Sequence, residues 1–248
     1  MSIRRLRIGL AALALAALAC NTLVPPRPAV EWNSAADSLV VEASSAGGML
    51  PDFNYVPAAR LWGDGRLVWS NYNSSGGRSV QTRTLTADEM RALIVRIENE
   101  GFFGWNDQYS PGVVYDAPIT CLRVSLTTAS KSVCEMVSGA PAGFGRLFAE
   151  LGSGAGQAGT DFVPERGYLT VTRLQSGPAD GATDWPSETL GLSLAEAQGG
   201  VWIEGPALAR AWEAVNAKSV FTLLREGDTV YQVELLVPDV TLLQPPAP

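Results

Sequence analysis

Carboxylates are the abundant reactive side chains of this sequence, so their spacing decides what chemistry is open to it. Asp107 and Asp116 fall in one stretch, residues 104–118 (GWNDQYSPGVVYDAP), with Asn106, Tyr109 and Tyr115. Oxygen donors gathered in a loop could hold calcium, which takes roughly six to eight of them. The spacing does not match an EF-hand, and an aspartate in a loop more often closes an Asx turn on its own backbone. A second acidic loop sets Asp180 and Asp184 around Gly181. Two carboxylates facing across a cleft could also hydrolyse a glycosidic bond. A carboxylate-based hydrolase and a calcium-dependent glycan binder are therefore the alternatives to a non-catalytic reading. No cofactor and no complete metal-ligand set is read from the chain.

Other nucleophile–base pairs have little to draw on. The chain contains no histidine, which removes Ser-His-Asp and Cys-His catalysis and all His-ligated metal sites. Lys131 and Lys218 are its two lysines. Ser130 and Ser132 flank Lys131, but the position reads as the start of a strand and makes a poor Ser–Lys site. Cys121 and Cys134 lie on either side of an expected hairpin. In an oxidising compartment such a pair forms a disulfide more often than a reactive site, and closing a loop of this size stabilises by roughly 3 kcal/mol in the chain-entropy model. The alternative is two free thiols packed as small hydrophobes.

Tryptophans are the other group able to recognise something. There are seven, at 32, 62, 69, 105, 185, 202 and 212. Trp105 and Trp185 fall in expected loops, where exposed aromatics suit a protein or glycan partner; they are the candidate partner-binding residues. Trp212 reads as core from its helical position.

The chain opens MSIRRLRIGLAALALAALAC. Arg4, Arg5 and Arg7 precede an uncharged run from Ile8 to Ala19, too short for a spanning helix and suited to a secretory signal. Its end, Ala17-Leu18-Ala19-Cys20, resembles the lipobox of bacterial lipoproteins, with Ala17 where that family more often has Leu. The resemblance covers this segment only. It implies cleavage before Cys20, diacylglycerol on the Cys20 thiol and a third acyl chain on the new amino group. Each buried methylene adds about 0.8 kcal/mol to the anchoring. The expected location is the extracytoplasmic face of a membrane.

Loss of residues 1–19 removes three arginines and no acids, leaving 15 basic and 25 acidic residues and a net charge of −10. That argues against nucleic acid, which needs a basic surface, and against charge-driven docking on anionic headgroups.

The elements expected to position these groups suggest an α+β fold of antiparallel sheets, each packed by one helix. After the signal peptide (1–19), prolines 25, 26 and 28 deny regular structure to a lipidated tether over 20–37. A first α+β unit spans 38–151. In it, two strand-like runs flank Gly63-Asp64-Gly65, where Asp-Gly suggests a type I′ turn. Thr86 and Glu89 form a capping box ahead of Met90, Leu93, Ile94 and Ile97 on one helical face. A Gly-rich linker, GSGAGQAGT (152–160), separates a second unit over 161–243, and 244–248 is a tail. The second half repeats the order strands, helix, hairpin, which suggests two similar units. It includes expected short strands at Thr189–Leu194 and Gly200–Glu204. The functional expectation is a membrane-anchored, non-catalytic binding module whose partner is an envelope protein or a glycan.

Overall fold

The computed structural model describes residues 30–48, 55–72, 77–112, 114–175, 181–217 and 221–247. The signal peptide, Cys20 and residues 20–29 of the expected tether lie outside these residues, as do Asp180 and Lys218. Among the described residues no helix is long and apolar enough to cross a membrane.

The fold is α+β, with two mostly antiparallel sheets and four helices. The strands of the first half are β1 (Leu39–Ala46), β2 (Ala59–Trp62), β3 (Arg66–Tyr72), β4 (Arg78–Thr84), β5 (Gln108–Tyr109), β6 (Ile119–Ser125) and β7 (Ser130–Met136). They are followed by β8 (Thr160–Asp161), β9 (Arg166–Arg173), β10 (Thr183–Asp184), β11 (Val201–Glu204), β12 (Thr222–Glu226) and β13 (Thr229–Leu236). The helices are α1 (Ala87–Asn99), α2 (Ala142–Gly152), α3 (Ser187–Leu190) and α4 (Gly205–Ala217). One sheet has the order β5-β7-β6-β1-β2-β3-β4-β8 and the other β10-β12-β13-β9-β11.

The centre of the first sheet is covered on both faces, which is why β2 is buried at every position. Across β1, β2 and β3, Ala43, Ala59 and Trp69 align in one row and Val41, Leu61 and Leu67 in the next. α1 carries the expected capping box: the Thr86 hydroxyl accepts the Glu89 N–H and the Glu89 carboxylate accepts the Thr86 N–H. It buries Met90, Leu93, Ile94 and Ile97, worth about 1.5–3 kcal/mol each. Gly101 ends the helix at a φ of 86°, a conformation cheap only for glycine, and Phe102 behind it is fully buried.

The β2–β3 hairpin differs from the expected type I′ turn. Gly65 alone in its loop has a positive φ, 88°, and its N–H donates to the Trp62 carbonyl at 3.0 Å. This is a three-residue loop, a type I turn followed by a left-handed glycine, the next commonest hairpin solution. β4 was not expected. Its sequence, RSVQTRT, buries only Val80, so its alternation is hidden among polar residues. The short strand expected at Thr189–Leu194 is instead α3 and a turn. Pro186 precedes that helix and Gly191, at a φ of 67°, stops it.

The linker expected at 152–160 does not separate two cores. Residues Glu31–Pro248 form one compact unit. Gly154 and Gly159 lie against the Trp69 indole so closely that a Cβ on either would collide with it, and Thr160 and Asp161 then extend the first sheet beside β4. The glycines are there for close approach, not flexibility. Trp62, Val68 and Val80, on the face opposite Trp69, share one hydrophobic cluster with Leu169, Val171 and Leu208 of the second half. The order strands, helix, hairpin does recur in both halves, but the sheets differ in strand number and order.

The C-terminal segment also returns to the first half. Val240 and Thr241 are buried, and Leu242 N–H donates to the Tyr55 carbonyl at 2.8 Å.

Candidate functional site

Among the described residues, helix packing covers one face of the second sheet. α4 packs on β9, β11, β12 and β13, and Gly167 lets it approach: a Cβ there would stand 2.8–2.9 Å from Leu235 and Leu208. Because strand side chains alternate, Leu169, Val171, Val233 and Leu235 point toward that core and their neighbours point outward.

Strand register assembles the outer face. Gln232 pairs with Thr172 and Glu234 with Thr170 across β13 and β9. Leu236 pairs with Tyr168, Tyr168 with Trp202, Leu223 with Gln232 and Arg225 with Val230. The result is a polar centre of two threonines, an amide and a carboxyl, framed by Leu223, Val230, Leu236, Tyr168 and Trp202. These framing side chains are all half-buried.

The aromatic margin is built rather than incidental. The Tyr168 and Trp202 rings meet edge to face at 5.7 Å, and the Arg166 guanidinium lies 5.1 Å over the Trp202 ring. The Tyr168 hydroxyl donates to the Gly199 carbonyl at 3.2 Å. Its ring covers Gly200, where a Cβ would collide with it. Glu234 stands at the polar centre. Burial alone raises its carboxyl above the ordinary carboxylate range, with no hydrogen bond or opposite charge drawing it down.

The residues singled out from sequence fall elsewhere. Trp185 is not a contact residue: it is 3% exposed, belongs to the shared core and donates its indole N–H to the Leu192 carbonyl at 2.8 Å. The loop holding it is folded inward by that bond. Trp105 is half-buried and packs against Phe102 at 5.6 Å and Phe144 at 6.5 Å, sealing the ends of α1 and α2. Asp107 gives its carboxylate to Lys131 at 2.7 Å and its carbonyl to the Cys134 N–H at 2.8 Å. Asp116 is exposed at a φ of 56°, in a turn whose carbonyl approaches Gly48. Among the described residues no group of three or more His, Cys, Asp or Glu could hold a metal ion. Lys131 lies between Ser130 and Ser132 on β7, so the three alternate in direction and the lysine is turned away from both hydroxyls.

Cys121 and Cys134 form a disulfide. They are direct cross-strand partners of β6 and β7. The Cys134 N–H points away from β6, to Asp107, so the pair is a non-hydrogen-bonded one, the closer kind in an antiparallel ladder. The Cα atoms are accordingly 4.1 Å apart.

A groove of about 390 Å³ lies between α2 and the ends of β1 and β3. Its polar groups are largely engaged: the Tyr55 hydroxyl accepts the Ser45 N–H at 2.7 Å and Ser70 donates to the Val56 and Pro57 carbonyls. The outer sheet face offers more unspent chemistry. Sequence reading missed it, although the outward positions 168, 170 and 172, and 230, 232, 234 and 236, alternate legibly; only the register brings them together. No protein-family model matches the chain, and no curated protein or solved structure matches it either.

Proposed function

We propose that the chain is an envelope lipoprotein, anchored by lipid on Cys20, whose folded part is a non-catalytic binding module that engages its partner through the outer face of the second sheet. The observation that carries this is an open antiparallel face on which a preset aromatic pair borders an uncompensated carboxyl. Perturbed titratable groups and partly exposed amphipathic aromatics concentrate at working surfaces. The anchor is supported by the lipobox resemblance and the short apolar run before Cys20.

The test mixes purified full-length protein with the envelope fraction of cells that lack it. Expected is saturable binding that Trp202→Ala weakens while the protein stays folded, its melting temperature lowered far less than by the loss of a core tryptophan. In cells, Cys20→Ser is expected to leave the protein unprocessed and without lipid. Binding indifferent to Trp202 removes the face from the reading, and unchanged lipidation of the Cys20→Ser protein removes the anchor.

A further inference from the structure

Resting on that reading, we infer that the outer face takes a neutral or amino-bearing glycan strand, with Trp202 and Tyr168 stacked on sugar rings and Glu234, Gln232, Thr170 and Thr172 bonded to its hydroxyls. Protein interfaces have an apolar, charge-poor centre inside a polar rim. Here the centre itself is polar: the Gln232–Thr172 and Glu234–Thr170 pairs hold it, apolar and aromatic side chains stand around it, and Arg225 and the Arg166–Glu204 pair lie beyond them. A protein partner with an apolar centre would bury those polar groups unmatched. A pyranose fits both parts. Its C–H face is apolar and lies against an aromatic ring, and its edge is a row of hydroxyl donors and acceptors.

Charge narrows the class of glycan. Arg166 sits opposite Glu204 in the β9–β11 register, and Arg225 lies 3.9 Å from Asp184. Glu234 pairs with an uncharged threonine. An ionised carboxylate accepts hydrogen bonds and donates none, so it is matched by hydroxyl or ammonium groups and repels carboxylate, sulfate and phosphate. The aromatic side is already fixed by the Tyr168 bond to Gly199, so little ordering is needed when a ligand arrives.

The experiment applies full-length protein, in detergent, to an array of neutral, amino-bearing and acidic oligosaccharides. Expected is retention on the first two classes and none on the acidic ones. Trp202→Ala is expected to weaken retention about tenfold or more, and Gln232→Ala, which removes an amide from the centre of the face, to weaken it as well. Glu234→Gln is expected to abolish any preference for amino-bearing over neutral sugars, and Arg91→Ala, on α1, to change nothing. Retention on acidic sugars alone, retention indifferent to Trp202 and Gln232, or no retention overturns the glycan class. If envelope binding still depends on Trp202, the binding module stands and only its ligand class falls. If neither sugars nor envelope are bound, both fall.

Discussion

The Nε of Arg60 lies 2.7 Å from Oε2 of Glu42, and the pair is buried where β1 and β2 run side by side. The same guanidinium donates to the carbonyls of Asp239 at 2.7 Å and Thr241 at 2.8 Å. One side chain of the first sheet thus holds the chain end that follows the last strand of the second. Removing one member of a buried ion pair strands the other charge, at a cost of about 3–5 kcal/mol. Arg60→Leu is expected to lower stability by that much in urea unfolding, and to open the segment after Leu236 to proteases. A loss below about 1 kcal/mol contradicts the clamp.

Gly159 separates a packed segment from a linker. In a flexible linker, Gly→Ala is neutral or slightly stabilising. Against Trp69 the added methyl has no room, and overpacking of this kind costs about 1–3 kcal/mol. Gly159→Ala is expected to lower the melting temperature, with near-ultraviolet circular dichroism reporting a shifted indole.

Trp185 and Trp202 are expected to behave oppositely. Trp185→Ala empties a core position and leaves the Leu192 carbonyl without its donor, which costs about 3–5 kcal/mol. Trp202→Ala removes a half-buried ring and its edge-to-face contact with Tyr168, worth about 0.5–1.5 kcal/mol, so it lowers the melting temperature much less than Trp185→Ala. Equal losses in the two variants contradict the assignment of faces.

Glu89 and Glu234 predict opposite pH dependences. Hydrogen bonds from the Thr86 backbone and then its side chain, followed by Arg83, hold Glu89 below its ordinary value in the folded state. Its stabilising contribution is therefore present above the unfolded-state pKa and lost as pH falls through the folded one. Burial holds Glu234 above its ordinary value, so its ionisation works against folding. Stability is greatest below its unfolded pKa and declines as pH rises through the folded one. Glu234→Gln is expected to stabilise at neutral pH, with the gain vanishing in acid, and Glu89→Gln to destabilise at neutral pH only. Chemical unfolding across pH 3 to 8 reads both, and a Glu234→Gln gain that persists in acid contradicts the assigned cause.

Legibility followed the range of the interaction. α1 could be read because its signals are local: a cap, a reciprocal acid and one apolar face. The Cys121–Cys134 disulfide could be read because a hairpin joins neighbours in sequence. β4 could not, because it contributes little apolar surface and is held by cross-strand bonds to β3. The 152–160 segment looked like a linker because glycine reports the need for a bare backbone without saying whether solvent or Trp69 lies opposite. Trp185 looked exposed because its loop is closed by a bond to Leu192 and a core shared by both halves. The outer face depends on the register of five strands, which alternation within each does not fix.

The most direct measurement places a photo-crosslinking residue at Leu223, which borders the face beside Gln232, with the same residue at Arg91 on α1 as control, in cells that make the protein. Expected is a discrete adduct from position 223 that Trp202→Ala diminishes, and none from position 91. No adduct from position 223, or the same products from both positions, contradicts a binding surface on the second sheet.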